Sequence, residues 1–210
     1  MEKSRKKIGI MGGTFDPVHF GHLLIAENAA QQYQLDEVWF MPTGYSPHKE
    51  QKYITDDEHR CRMIHLAIED NPGFILSLEE VESERTNYTY QTLEELQKKY
   101  PENEFYFILG GDSLKNFETW RYPERVLNAT YILAAVRDDM EGDAFWQQVS
   151  YLEQKYNAKG IFALRTPNSS ISSREIRQRI YNQKTVRYML PEKVRAYILE
   201  NGLYRQYELM

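Results

Sequence analysis

Residues 8–22 read IGIMGGTFDPVHFGH, and the reading of this stretch decides the fold. An apolar run through Ile8, Ile10 and Met11 stops at Gly12-Gly13, and His19 and His22 follow three residues apart. A buried strand that enters a glycine turn and then a helix is how α/β proteins aim backbone N–H groups at a phosphate. Both histidines then stand in the first turn of that helix, beside the same anion. The stretch is expected to form one wall of a nucleotide-triphosphate site.

Outward from it, strand and helix patterns alternate. A strand at about 7–11 leads to a helix from Phe20 to Tyr33, with Leu23, Leu24, Ala26 and Ala30 on its apolar face. Val38 to Met41 is a short buried strand ended by Pro42, and a loop to Thr55 carries Gly44, Pro47, His48 and Lys49. Asp56 caps a helix to about Asp70, stopped by Pro72-Gly73. Phe74 to Val81 reads as a strand, Thr89 to Tyr100 as a helix, and Phe105 to Leu109 as an apolar strand closed by Gly110-Gly111-Asp112. Then come a short helix at Pro123 to Asn128, a strand at Tyr131 to Val136, a helix at Glu141 to Tyr156 and a last strand at Ile161 to Leu164. Ser172-Ser173-Arg174-Glu175 has the form of a capping box. A final helix starts at Pro191 and stops at Asn201-Gly202. Strands separated by helices require crossover connections, so the expected fold is α/β, a mostly parallel central sheet flanked by helices. The chain is read as one domain over 1–210, with a C-terminal helical subregion from about 172.

Composition narrows the function classes. The 210 residues suffice for a sizeable core, and 41% hydrophobic with 27% charged residues is ordinary for a globular chain. A net charge of -5 argues against nucleic acid as a partner, so any bound polyanion must meet a local basic cluster. Cys61 is the only cysteine, which excludes an intrachain disulfide; it reads as a plain thiol on a helix, with His59 and His65 as structural neighbours. No stretch reaches membrane-spanning length and none forms a signal-peptide core, so no membrane partner and a cytoplasmic location are expected. A homo-oligomer is left open.

In parallel sheets ligands bind beyond the carboxyl ends of the strands. Gly12, Gly13, Thr14 and Phe15 follow the first strand, and Gly13, Thr14 and Phe15 turn N–H groups towards phosphate. The motif is neither a Walker A sequence nor the G-x-G-x-x-G fingerprint. His19 and His22 suit phosphate oxygens, a metal with a third ligand, or a plain hydrogen-bonded helix start. Lys49 is a mobile charge in a proline-flanked loop. Ser172 and Ser173 open a helix on which Arg174, Arg177 and Arg179 follow; Arg174 and Arg177 lie one turn apart and can face one anion together. Asp112 can accept from a ribose hydroxyl, and Trp120, beside Arg121, offers a flat aromatic surface.

GGTFDPVHFGH taken with ISSREIR resembles the nucleotidyltransferase superfamily that carries a His-x-Gly-His signature and a C-terminal Ile-Ser-Ser-Thr-x-Ile-Arg signature. DEVWFMP, PHK, NYTYQTLEEL, FYFILGGDSL, ETW and PEKVRAYILENGLY follow in the order of its nicotinate-nucleotide adenylyltransferase branch. The resemblance implies a Rossmann-like fold and adenylyl transfer from ATP to nicotinate mononucleotide, with magnesium carried on ATP. It implies Gly13, Thr14 and Phe15 at the nucleotide phosphates, His19 and His22 as signature histidines, Lys49 on phosphate and Asp112 on ribose. It implies Thr89 and Trp120 at the nicotinate, and Ser172, Ser173 and Arg177 at the triphosphate. Two positions depart: Arg174 replaces the signature threonine, and Arg121 stands where the family often has tyrosine and could pair with the nicotinate carboxylate. The rivals are a sister adenylyltransferase acting on nicotinamide mononucleotide or phosphopantetheine, and a nucleotide-binding sensor without catalysis. A class I aminoacyl-tRNA synthetase is excluded by length and by the lack of a tRNA-binding domain.

Overall fold

In the computed structural model, residues 5–44, 54–83, 86–137 and 142–206 are described, residues 111, 112 and 137 by their backbone alone. Their strands are β1 (Lys7–Gly13), β2 (Glu37–Pro42), β3 (Phe74–Leu76), β4 (Glu104–Gly110), β5 (Tyr131–Arg137) and β6 (Ile161–Thr166). All pair in parallel in one sheet of order β3-β2-β1-β4-β5-β6. The helices are α1 (Phe20–Tyr33), α2 (Asp57–Ile68), α3 (Thr89–Lys99), α4 (Gly111–Lys115), α5 (Pro123–Ala129), α6 (Asp143–Tyr156), α7 (Ser173–Tyr181) and α8 (Glu192–Glu200). None of them is long and apolar enough to cross a membrane.

The sheet is covered on both faces, which is why its strands read as apolar runs rather than alternating ones. Period-two alternation still sorts the residues. Met11, Phe40, Ile108 and Leu133 face one core with Ala26 of α1, Met63 of α2, Ile176 of α7 and Val194 of α8. Ile8, Ile10, Phe107 and Ile132 face the other with Leu93 of α3, Val126 of α5 and Leu152 of α6. The C-terminal helices are thus part of the first core. Ile176 and Ile180 lie one turn apart and both are buried, contributing on the order of 3–6 kcal/mol before the entropy of ordering α7 is counted.

The strand order reverses direction between β1 and β4, the position at which open parallel sheets bind ligands. This doubly wound, Rossmann-like α/β arrangement agrees with the expected fold class.

Several boundaries differ from expectation. β1 runs through Gly12 and Gly13, which pair with Met41 and Pro42, so the glycines belong to the strand and not to the turn. β3 ends at Leu76 and not at Val81. Ser77 donates once more to Phe40 O (2.9 Å), after which bonds from Glu82 to Leu78 and Ser83 to Glu80 fold the chain into turns. Pro191 stands at the N-cap of α8, one position before its first helical residue. Asp56 holds the N-cap position of α2 but makes no side-chain capping bond.

Candidate active site

At the reversal point lies a cavity of about 620 Å³. Gly12, Gly13 and Thr14 at the end of β1 border it on one side, and Thr89, Trp120 and Arg121 on the other. The structure therefore brings together these expected site residues from three separate stretches of chain.

The turn after β1 is made differently from the glycine turn expected. Gly12 and Gly13 are extended, and the residue in the left-handed region is Phe15, at φ 50°. A bulky residue there costs on the order of 1–3 kcal/mol and persists only where packing dictates it. Phe15 is 2% exposed, with its ring against His22 (5.0 Å, 70°) and Phe40 (5.8 Å). The ring also covers Gly13, where a Cβ would stand 3.1 Å from it. Gly13 accommodates this close approach rather than supplying an unusual backbone angle.

His19 is the N-cap of α1, and its carbonyl accepts from His22 N–H at 2.9 Å. His19 N–H donates back to His22 Nδ1 at 3.3 Å, and the two imidazoles stack with centroids 3.7 Å apart. His19 is buried, and its Nδ1 has no hydrogen-bond partner among the described residues. Desolvation lowers its pKa to about 4. The His22 pKa is also pushed well down, first by desolvation and then by the His19 charge. Both rings are therefore neutral at pH 7, able to donate one N–H each.

Helix α7 brings the second anion-binding candidate against the same loop. Ser173 Oγ donates to Pro17 O at 2.9 Å, and Arg177 Nη1 to Asp16 O at 2.5 Å. Ser172 Oγ accepts from Glu175 N–H at 3.2 Å, so this hydroxyl caps the helix. Arg174 is exposed, while Arg179 is bonded to Glu175 at 2.7 Å. Ser173 and Arg177 thus meet the backbone of the loop that leads into His19 and His22, and the start of that loop, at Gly13 and Thr14, borders the cavity.

At the far wall, Thr89 is the first residue of α3. Trp120 stacks on Phe117 (5.0 Å, 29°) and meets Phe107 edge-on (6.1 Å), so it is both core filler and cavity wall. The exposed Arg121 guanidinium lies 4.8 Å from the Tyr88 ring centroid, with Nη1 3.1 Å from the Tyr88 hydroxyl.

Four residues that shape the site were not singled out from sequence. Arg60, 1% exposed, donates to Thr14 O (2.7 Å), Thr43 O (2.7 Å) and Thr55 O (3.1 Å) and pairs with Asp57. A signal existed: Arg60 shares the i, i+3, i+4, i+7 stripe of α2 with the buried Met63, Ile64 and Ala67. Glu80 borders the cavity; its carboxylate accepts from the Thr92 hydroxyl at 2.8 Å and from Gly44 N–H, and burial raises its pKa. A Cβ on Gly44 would stand 2.1 Å from Glu80 O, so this approach of two backbones requires glycine. Asp16 is buried in the loop, and Tyr204 reaches it from the C-terminal turn. No local pattern marks contacts of that separation.

His48 and Lys49 lie outside the described residues. Asp112 is the second residue of α4, directly after β4, and its side chain lies outside the described part. His59 bonds Tyr197 Oη at 2.8 Å, a structural role as expected, and Cys61 is half-buried with its thiol pKa raised by burial. Among the described residues no group of three or more His, Cys, Asp or Glu could hold a metal ion.

Residues 10–179 match the cytidylyltransferase-like family model. The chain is 48% identical over 199 residues to a protein of Lachnoclostridium phytofermentans named "Probable nicotinate-nucleotide adenylyltransferase", covering 95% of this chain and 99% of that one. It is 40% identical to the nicotinate-nucleotide adenylyltransferase of Bacillus subtilis, over 95% and 98% of the two chains. In fold it is similar to Plasmodium falciparum nicotinic acid mononucleotide adenylyltransferase complexed with NaAD, at TM-score 0.78 and 22% identity over 98% of this chain and all of that one. The same protein complexed with APC superposes at TM-score 0.76. The chain belongs to the cytidylyltransferase-like family and, within it, to the nicotinate-nucleotide adenylyltransferases.

Proposed function

We propose that this protein transfers the adenylyl group of ATP to nicotinate mononucleotide, giving deamido-NAD and pyrophosphate in NAD biosynthesis. One observation carries the reading beyond family membership. A single cavity runs from the N–H-bearing loop end at Gly13-Thr14 to the indole of Trp120, so a phosphate and an aromatic ring of one ligand can occupy it together.

In this reading the 5′-phosphate oxygen of the mononucleotide attacks the ATP α-phosphorus. The new P–O bond forms as the bond to the β-phosphate bridging oxygen breaks, and pyrophosphate leaves with that electron pair. The nucleophile is already anionic, so no strong base is required, and catalysis is alignment plus neutralisation of charge. Gly12, Gly13, Thr14 and Phe15 are assigned to the phosphates, and the neutral imidazoles of His19 and His22 donate N–H groups as charge builds on the α-phosphate. Arg177, Lys49, Ser172 and Ser173 are assigned to the triphosphate and Asp112 to ribose. The two serine hydroxyls are already used within the fold, so the α7 N-terminus contributes chiefly its backbone N–H groups and dipole. Thr89, Trp120 and Arg121 are assigned to the nicotinate. The donors here are N–H groups, imidazoles and cations, which suit phosphate oxygens rather than a metal. Magnesium in this reading rides on ATP, held by phosphate oxygens, and supplies charge neutralisation. We read the chain as one nucleotidyltransferase domain that meets its substrates in the cytoplasm.

The test is pyrophosphate release from ATP with nicotinate mononucleotide, nicotinamide mononucleotide or phosphopantetheine. The nicotinate substrate should give the largest kcat/KM. A larger value with either alternative, or ATP binding with no pyrophosphate from any, overturns the reading.

A further inference from the structure

The matched family model ends at residue 179, yet the chain beyond it returns to the loop that the proposed reaction uses. Helix α8 ends in a glycine turn. Gly202, at φ 62°, donates to Leu199 O (3.3 Å) and Leu203 N–H to Ile198 O (3.0 Å), the paired bonds of a Schellman motif. This reversal packs Leu203 against the first core and carries Tyr204, itself at φ 64°, inward. The Tyr204 hydroxyl then lies 2.7 Å from Asp16 Oδ1, across 188 positions of sequence.

Asp16 is 4% exposed and sits in the middle of the β1–α1 loop. Its other carboxylate oxygen accepts from Thr55 N–H at 3.4 Å, a long bond, so among the described residues the tyrosine is the short donor to this carboxylate. Its carbonyl accepts from Arg177. The residue before it is Phe15 in the left-handed region, and the residue after it is Pro17, whose carbonyl receives Ser173. The bonds from Ser173 and Arg177 to the loop therefore both fall within one residue of Asp16. Burial and the neighbouring Asp16 charge raise the Tyr204 pKa, so the phenol remains an O–H donor at any working pH.

We infer that Tyr204 is a positioning residue for adenylyl transfer: its hydroxyl fixes Asp16 and, through it, the loop that presents N–H groups, Arg177 and the histidines to the triphosphate. The inference rests on the proposed function and adds a part that lies outside the family model. It makes the turn after α8 a component of the phosphate site rather than a simple end to the fold.

The experiment compares Tyr204→Phe with Tyr197→Phe. Tyr197, on α8 just before that turn, loses a hydroxyl bonded to His59 and not to the loop. Tyr204→Phe should lower kcat about tenfold and raise KM for ATP while KM for the mononucleotide stays within about twofold, because the Trp120 wall is untouched. Tyr197→Phe should keep wild-type kcat. Wild-type kcat in Tyr204→Phe, an equal loss in both variants, or failure of Tyr204→Phe to fold overturns the inference. If the wild-type chain turns over no substrate, it is the adenylyl-transfer reading that fails. ATP affinity by calorimetry then decides on Tyr204, weakened in that variant and unchanged in Tyr197→Phe if the inference holds.

Discussion

Replacing Arg60 by methionine removes a guanidinium that ties three main-chain segments together, and the cost can be worked from its partners. The carbonyls of Thr14 and Thr43 lose charge-assisted bonds of 2.7 Å each, and that of Thr55 loses one of 3.1 Å. Asp57 is 53% exposed and regains water, so its ion pair adds little. The three threonines are half-buried, so water replaces part of what their carbonyls lose. Bonds from a charged donor are worth about 1.5–3 kcal/mol each, and methionine offsets part of the loss by avoiding burial of a cation. A net loss of about 3–4 kcal/mol follows, a large share of a typical folding stability of about 5–15 kcal/mol. Urea unfolding with a fixed m-value measures it. Arg60→Lys keeps the charge but not the planar fork and should recover only part of the loss. Because Thr14 and Thr43 border the cavity, KM for the mononucleotide should also rise in both variants. A stability loss under about 1 kcal/mol for Arg60→Met, with unchanged KM, would refute the reasoning.

Three further outcomes are expected. His22→Ala should lose about two decades or more of kcat while remaining folded by circular dichroism, the usual effect of deleting one preorganised donor; near-normal turnover removes the residue from the mechanism. Arg121→Gln should reduce the preference for nicotinate over nicotinamide mononucleotide by about tenfold or less, since the guanidinium is exposed and screened; an unchanged ratio in paired kcat/KM measurements leaves recognition to the backbone. His19 has a folded pKa of about 4 against an unperturbed 6.5, so between these values the unfolded chain binds more protons. Stability is then complete above about pH 6.5 and falls by about 3 kcal/mol as pH drops to about 4, with the depressed His22 acting in the same direction. His19→Asn keeps a good N-cap without the titration and should flatten this slope in urea titrations.

The α/β class followed from elements whose signals are local. The apolar runs at β1, β4 and β5 are long enough to identify buried strands, and the stripe of α1 identifies a helix. Ser172 as an N-cap was legible because a capping bond spans only three residues. Trp120, Thr89 and the histidines became candidate site residues only when several motifs were taken together in order. Gly12-Gly13 shows where local reading misleads. Glycine suggests a turn, but here it admits the Phe15 ring, and the turn itself is made by a phenylalanine held in place by His22 and Phe40. The short β3 misled for a similar reason, since Phe74 to Val81 has strand-like composition and only pairing decides where an edge strand stops.

The sequence by itself determined that buried strands alternate with helices, and it pointed to the starts of α1 and α7 as candidate anion sites and to Trp120 as a candidate aromatic surface. These depend on spacing within one element or one loop. The tertiary structure alone decided that β1 and β4 are neighbours and so open the cavity, and that α7 docks on the loop through Ser173 and Arg177. It alone decided that Arg60 and Tyr204 hold that loop from behind. These contacts join residues from 46 to 188 positions apart, and a hydrogen bond of that span leaves no periodicity in the chain. Only the closing of the sheet and its two cores sets which distant side chain meets which carbonyl.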